Sequence, residues 1–193
     1  MPAPKILVLS SSTRTGSYNT KLAALAAKEL TLADVDVTRI SLVDYPLPIY
    51  DADLDARTGQ PANALRLKQM IMAHHGIFIA SAEYSASVTP VLKNAIDWVS
   101  RVREKGDPTY AAFKGRVFAV SAASVGRGGG LRSIMALRQI LELGCGALVI
   151  PEVVSIPDAT QAFDEMDNII DSHTTTLFHA QLDRLVEMAR LMM

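Results

Sequence analysis

A doubly wound parallel α/β sheet is the fold class that this sequence predicts, on three observations. Five short apolar runs, at residues 5–9, 35–41, 76–80, 116–120 and 147–150, alternate with five stretches of helical spacing. Strands and helices alternating in this way form βαβ units, with parallel strands covered on both faces. Polar, hydroxyl-rich or glycine-rich loops follow the first, third and fourth runs, where open α/β sheets bind ligands at their carboxyl edge. With 193 residues, no internal repeat and no linker, the chain is expected to be one domain over 1–193.

The first run, Lys5-Ile-Leu-Val-Leu9, is apolar without alternation, as in a strand buried on both faces. Leu22, Leu25, Ala26 and Leu30 then recur at helical spacing over 20–30. After an Ala33-Asp34 turn, Val35-Asp-Val-Thr-Arg-Ile-Ser41 alternates as a second strand. Pro46 and Pro48 exclude a regular helix, and the stretch 42–60 reads as irregular. Pro61 suits the first position of a helix over 61–75. Gly76-Ile-Phe-Ile-Ala80 is the third strand, 81–90 a polar loop, and Leu92, Ala95, Ile96 and Val99 share one face of a helix over 91–103. Arg116-Val-Phe-Ala-Val120 is the fourth strand, followed by a Ser/Gly-rich loop over 121–130, a helix over 131–143 and a fifth strand, Ala147-Leu-Val-Ile150. A closing helix is expected over 163–191, with Phe163, Met166, Ile170, Leu177, Leu182, Leu185 and Val186 apolar. Their drifting spacing predicts a bend or break at the three threonines 174–176.

The first strand is followed by no Gly-x-Gly-x-x-Gly, and no acidic residue ends the second to hold a ribose. That disfavours a dinucleotide-binding domain and points to the five-stranded, flavodoxin-like sheet of order 2-1-3-4-5, with helices on both faces and a mononucleotide site beside strands one and three. In that order the loops after strands one, three and four open on one edge. The first, Ser10-Ser-Ser-Thr-Arg-Thr-Gly-Ser-Tyr-Asn19, holds four serines, two threonines and an arginine. Hydroxyls, N–H groups at a helix start and a guanidinium suit a small dianion such as a phosphate monoester. Helix capping by Ser17 and Asn19 explains one or two polar residues; it does not explain Arg14 or so many hydroxyls.

Composition excludes several classes. A net charge of −1 offers no basic stripe for nucleic acid, and lacks the acidity of a small carrier that docks by charge. The lone Cys145 rules out an internal disulfide, and it reads as a small buried hydrophobe rather than a nucleophile. His74 and His75 are adjacent, with His173 and His179 distant in sequence, so no zinc-ligand spacing arises and no metal is expected. No apolar run reaches membrane-spanning length, and Met-Pro-Ala-Pro-Lys leads into the first strand without a hydrophobic signal segment. A cytoplasmic protein with no membrane partner is therefore expected. No Gly-x-Ser-x-Gly elbow supports a serine hydrolase.

Four collinear motifs carry a family resemblance. Ala82-Glu-Tyr-Ser-Ala-Ser-Val-Thr-Pro-Val-Leu-Lys-Asn-Ala-Ile-Asp-Trp98 resembles the Pro-Glu-Tyr-Asn-x-Ser-x-x-x-x-Leu-Lys-Asn-Ala-x-Asp-Trp signature of the NAD(P)H-dependent FMN reductases. Ser12-Thr-Arg-Thr-Gly-Ser-Tyr-Asn19 is similar to that family's phosphate loop, Gly-Ser-x-Arg-x-x-Ser-x-Asn. Ser124-Val-Gly-Arg-Gly-Gly-Gly130 resembles its third loop, and Leu47-Pro-Ile-Tyr-Asp-Ala-Asp-Leu54 its linker after strand two. The resemblance implies FMN as cofactor and NADPH or NADH as co-substrate. It implies that Ser12, Arg14, Ser17 and Asn19, with Tyr18 in the same motif, hold the FMN phosphate. Ala82, Glu83, Tyr84 and Ser85 would lie along the isoalloxazine ring with backbone N–H groups toward its polar edge, and Ser124 and Gly126 would complete the wall. Where the family usually has Gly, Pro and Asn, this chain has Ser11, Ala82 and Ser85. A less compact first turn, and ring contacts at 82 and 85 made by backbone, are then expected.

The expected activity is hydride transfer from NAD(P)H to bound FMN, then electron transfer to a flavin, quinone or similar small acceptor by a ping-pong scheme with no catalytic side chain. The alternative is a flavodoxin-type FMN electron carrier without nicotinamide turnover. Arg101, Arg103 and Arg127 could each meet a ribose phosphate. The resemblance also implies a homodimer or homotetramer, with the helix from Val91 and the linker around Tyr50 as the suspected interface. Glu83 is expected to fix its turn or meet a partner; Lys93, Asn94 and Asp97 to cap, pair or reach a neighbouring chain; and Trp98 to be core or interface.

Overall fold

Strands β1 (Lys5–Ser10), β2 (Asp36–Ser41), β3 (Gly76–Ala80), β4 (Val117–Ala123) and β5 (Leu148–Ile156) form one parallel sheet in the order β2-β1-β3-β4-β5. The structure, a computed structural model, describes residues 3–193; Met1 and Pro2, at the head of the lead into β1, lie outside them. The helices are α1 (Tyr18–Leu32), α2 (Ala52–Thr58), α3 (Ala62–Met72), α4 (Pro90–Arg101), α5 (Leu131–Gln139) and α6 (Ser172–Leu191). Alternate residues of the central strands face opposite layers, which is why both sets are apolar. Ile6, Val8 and Phe78 pack with Leu22 and Ala26 of α1 and Phe178, Leu182 and Leu185 of α6. Leu7, Leu9, Ile77, Ile79 and Phe118 pack with Leu67 of α3, Leu92, Ile96 and Val99 of α4, and Ile134 and Leu137 of α5. Each buried Val, Leu, Ile or Phe among them contributes about 1.5–3 kcal/mol.

The expected strand order and layering are present. Local expectations are corrected at several places. The stretch 42–60 is not wholly irregular: it carries α2, because Asp51 caps it by accepting the N–H groups of Asp53 (2.8 Å) and Leu54 (3.0 Å). The last helix starts at Ser172, not 163. Asp164 Oδ1 accepts the N–H groups of Met166 and Asn168, folding 163–169 into a bridged turn, and Asp171 caps α6 through the N–H of Thr174 (2.7 Å). The threonines therefore fall in the first two turns and do not break the helix; Thr175 and Thr176 each donate a hydroxyl hydrogen bond of 2.9 Å to the carbonyl four residues back. The α3 helix ends at Met72, short of His75, and α5 widens into a π-turn over Ile140–Gly144, where the Cys145 N–H donates to the Ile140 carbonyl five residues back (3.0 Å).

A further correction concerns the edge formed by β4 and β5. β4 and β5 run on to Ala123 and Ile156, past Pro151, which lacks a ladder N–H. The register jumps from Phe118–Val149 to Val120–Val153 to accommodate it. The fully buried Gln181 of α6 fills the gap, donating to the carbonyls of Val120 (3.0 Å) and Glu152 (2.8 Å) and accepting from the Ser121 hydroxyl (2.5 Å).

Candidate functional site

In each βαβ unit the helix runs antiparallel to its strands, so helix N-termini, with their unsatisfied N–H groups, gather at the carboxyl edge of the sheet. The loop from β1 to α1 curls over that edge on its own hydroxyls. Ser10 Oγ accepts the Ser12 N–H (3.1 Å) and Ser12 Oγ accepts the Arg14 N–H (3.3 Å). Ser17 is the buried N-cap residue, and its hydroxyl makes no capping bond. The N–H groups of Thr15, Gly16, Tyr18 and Asn19 have no acceptor among the described residues. Arg14 is exposed; its guanidinium touches only the Thr15 carbonyl (3.4 Å) and pairs with no carboxylate among the described residues. The Tyr18 ring stacks on Phe163 at 6.2 Å between centroids.

Two of the expected contacts are redirected. The Asn19 side chain does not face the loop: buried, it donates to the Ala123 carbonyl (2.8 Å) and accepts the Ala123 N–H (3.0 Å), tying α1 to the end of β4. Only its backbone N–H is left for an anion. The N–H of Ala82 is likewise spent, on Ser11 Oγ at 2.7 Å. Ser11 is fully buried, its own N–H donates to the Ala80 carbonyl (2.9 Å), and its carbonyl accepts the Thr89 hydroxyl (2.7 Å). The serine that was expected to loosen the first turn instead fastens it to the loop after β3.

That second loop closes on itself. Tyr84 and Ser87 exchange two backbone hydrogen bonds of 3.0 Å around Ser85 and Ala86, both at positive φ (+50° and +62°). This is a type I′ turn, which favours Asn-Gly because ordinary side chains are strained there. The N–H groups of Glu83, Ser85 and Ala86 have no acceptor among the described residues. Glu83 does fix the loop: its largely buried carboxylate accepts from Arg132 Nε (2.8 Å) at the start of α5.

In the third loop Ser124 Oγ accepts the Gly126 N–H (3.3 Å), and the Ser124 N–H donates to the Ile156 carbonyl (3.0 Å). Gly130 opens α5 at φ +85°, where a Cβ would stand 2.6 Å from Ala122 Cβ. Only glycine lets α5 approach β4 here. Ser133 beneath it donates to the Ser81 carbonyl (2.9 Å).

The signature helix α4 serves the same edge indirectly. Asn94 accepts the Tyr50 N–H (2.8 Å) and donates to the Pro48 carbonyl (2.9 Å), which also accepts the buried Trp98 Nε1–H (2.7 Å). Asn94 and Trp98 thus hold the linker down, while Lys93 pairs with Asp97 at 2.8 Å on the same helix. Sequence reasoning missed Arg132 and the roles that the Ser11 and Thr89 hydroxyls play. Thr89 was readable as an N-cap, since Pro90 follows it; the others depend on contacts across 49 to 78 residues. Cys145 is no nucleophile: burial pushes its thiol up to about 11.

A parallel sheet of order 2-1-3-4-5, with unspent N–H groups and a free guanidinium after β1 and further unspent N–H groups after β3, defines a flavodoxin-like α/β binding domain. Residues 4–161 match the family model described as NADPH-dependent FMN reductase, and the chain belongs to that family. It is 36% identical over 183 residues to an NAD(P)H-dependent FMN reductase of Pseudomonas aeruginosa, covering 94% of this chain and 92% of that one. It is 34% identical over 181 residues to an NADPH:quinone oxidoreductase of Arabidopsis thaliana, covering 90% and 85%. Among solved structures it resembles FerB, a flavoenzyme NAD(P)H:(acceptor) oxidoreductase of Paracoccus denitrificans, with a TM-score of 0.78, 27% identity and 98% of each chain covered.

Proposed function

We propose that this protein is an FMN-dependent NAD(P)H oxidoreductase that passes electrons to a small acceptor such as a quinone or a flavin. The family supplies the class, with FMN as cofactor and NAD(P)H as co-substrate. The observation that carries the site assignment is the pair of donor sets on one edge. After β1, Arg14, the Ser12 and Ser17 hydroxyls and the free N–H groups of Tyr18 and Asn19 suit a phosphate monoester. After β3, the free N–H groups of Glu83, Ser85 and Ala86 suit the polar edge of a flat heterocycle, and Ser124 and Gly126 wall the far side. Bound FMN supplies the two-electron chemistry; the chain binds the phosphate, orients the ring and offers fixed donors where negative charge develops on reduction.

No acid, base or nucleophile is required from a side chain. Nicotinamide and acceptor would use one open ring face in turn, so double-reciprocal plots against both substrates should be parallel; intersecting lines would remove the ping-pong element. A homodimer or homotetramer through α4 and the linker is part of the proposal, since Ile49 is 84% exposed beside an apolar cleft with Tyr50, Pro90 and Val91. Light scattering on the purified protein checks it, a monomer refuting it. A cytoplasmic working place is consistent with a lone, buried thiol. The decisive test of the site is Arg14→Ala: FMN affinity should fall by about 1–3 kcal/mol, the loss of one charge-assisted contact, with the melting temperature of the flavin-free protein unchanged. Equal FMN affinity in the variant rejects the phosphate role.

A further inference from the structure

We infer that Ser11 is a positioning residue that couples the phosphate grip to the ring-edge donors, on the reading above that these loops hold FMN. Three hydrogen bonds meet at this fully buried residue. Its hydroxyl accepts the Ala82 N–H (2.7 Å), its carbonyl accepts the Thr89 hydroxyl (2.7 Å), and its N–H donates to Ala80 (2.9 Å). Thr89 in turn caps α4 through the Leu92 N–H (3.4 Å).

The consequence is selective. In the loop after β3, Ser11 removes the Ala82 N–H from the set of free donors, and the Tyr84–Ser87 pair removes two more. What remains for a ligand is Glu83, Ser85 and Ala86, at a distance and angle from the first loop that the Ser11–Ala82 bond sets. The first loop holds its own shape through Ser10 and Ser12 and does not need this bond. Ser11 therefore matters to a ligand that spans both loops and not to one that occupies the first alone. A buried donor stripped of its acceptor would turn to water or to the ligand, and the second loop would shift away from the first.

The experiment compares FMN, riboflavin and inorganic phosphate as ligands of the parent protein, Ser11→Ala, Thr89→Val and Thr89→Ser. In Ser11→Ala the dissociation constant for FMN should rise about tenfold and that for riboflavin by less, while phosphate stays within about twofold. Thr89→Val, which breaks the other half of the clasp, should reproduce the pattern, and Thr89→Ser, which keeps the hydroxyl, should restore parental FMN binding. A general weakening of the fold would instead lower all three affinities together, and that result overturns the inference. So does FMN affinity in both Ser11→Ala and Thr89→Val equal to the parent's. If Ser11→Ala does not fold, the Thr89 pair decides alone. A parent that takes up no flavin rejects the proposed function, and this inference with it; a parent that binds FMN beside variants that bind it equally rejects the inference only.

Discussion

The two edges of the sheet are built from opposite chemistry. At the carboxyl edge the residues buried as a whole are neutral, namely Ser10, Ser11, Ser17, Asn19, Ser81, Thr89, Ser121 and Ser133, and charge enters through the half-buried Glu83 paired with Arg132. At the amino edge they are basic. Lys68 is fully buried against Glu104 (2.7 Å) and Asp107, buried His74 meets the Met70 carbonyl (2.6 Å), and the half-buried Arg116 guanidinium donates to the carbonyls of Ile71, Ala111, Lys114 and Met72. The cause is the direction of the helices. Their C-terminal carbonyls gather at the amino edge and draw cations, as Ile71 and Met72 of α3 draw Arg116. Their N-termini gather at the other edge, where hydroxyls fix the loop after β1 without placing a carboxylate beside it, and the one carboxylate that fixes the loop after β3, Glu83, is neutralised by Arg132. One edge is fastened mainly by charge; the other keeps its free donors and the unpaired Arg14 guanidinium after β1 for binding.

The largest effect is expected at the crowded point of the binding edge. Gly130→Ala adds a methyl group 2.6 Å from Ala122 Cβ at a left-handed φ, and should cost about 2–5 kcal/mol of stability together with FMN uptake. Denaturant unfolding with and without flavin measures both; an unaffected variant would mean that α5 is free to move. Lys68→Ala probes the opposite edge. Its buried stem and its two carboxylate partners set the loss at about 2–4 kcal/mol, yet FMN affinity per folded molecule should not change. A parallel loss of flavin binding would break the separation between the edges.

pH should act through the amino edge. Burial pushes His74 below its usual value of 6.5, against the opposing pull of the Met70 carbonyl and Asp36. The unfolded chain then takes up a proton near pH 6.5 that the folded chain resists, so this contribution is complete above pH 6.5 and declines as pH falls below it toward the lowered folded value. Lys68 has the opposite sign. Burial lowers it, but its hydrogen bonds and charge pairs with Asp107 and Glu104 win, and its value is raised. Its stabilisation is complete below 10.5 and is lost as pH rises through the raised value. Urea midpoints should therefore fall between pH 7.5 and 5.5, and His74→Gln should flatten that fall; an unchanged slope would assign it to other groups. The smallest effect is a gain. Ala86→Gly relieves one strained position of the type I′ turn and should stabilise by about 0.5–1 kcal/mol, readable as a higher melting temperature; a lower one would show that the alanine is held by contacts rather than strained.

Long apolar periodicity was enough for the core: β1, β3 and the faces of α1 and α4 are legible residue by residue, since water exclusion acts on local pattern. Short capping signals were harder to weigh. Asp51 and Asp171 decide where α2 and α6 begin, and each was outvoted by its surroundings, Pro46 and Pro48 in one case and the misleading spacing of Phe163, Met166 and Ile170 in the other. At the site, the loops and their order were legible and the partners of their polar groups were not. Asn19 could be placed beside a phosphate by motif, and only the folded chain shows its amide spent on Ala123, 104 residues away.

Taken alone, the order of amino acids determined the layers, the strand order and which three loops share an edge, because burial and chain direction depend on pattern and not on any particular long-range contact. Tertiary structure decided which N–H groups remain free on that edge. A hydrogen bond needs a partner at a set distance and angle, and for Ala82 that partner, Ser11, lies 71 residues earlier in the chain.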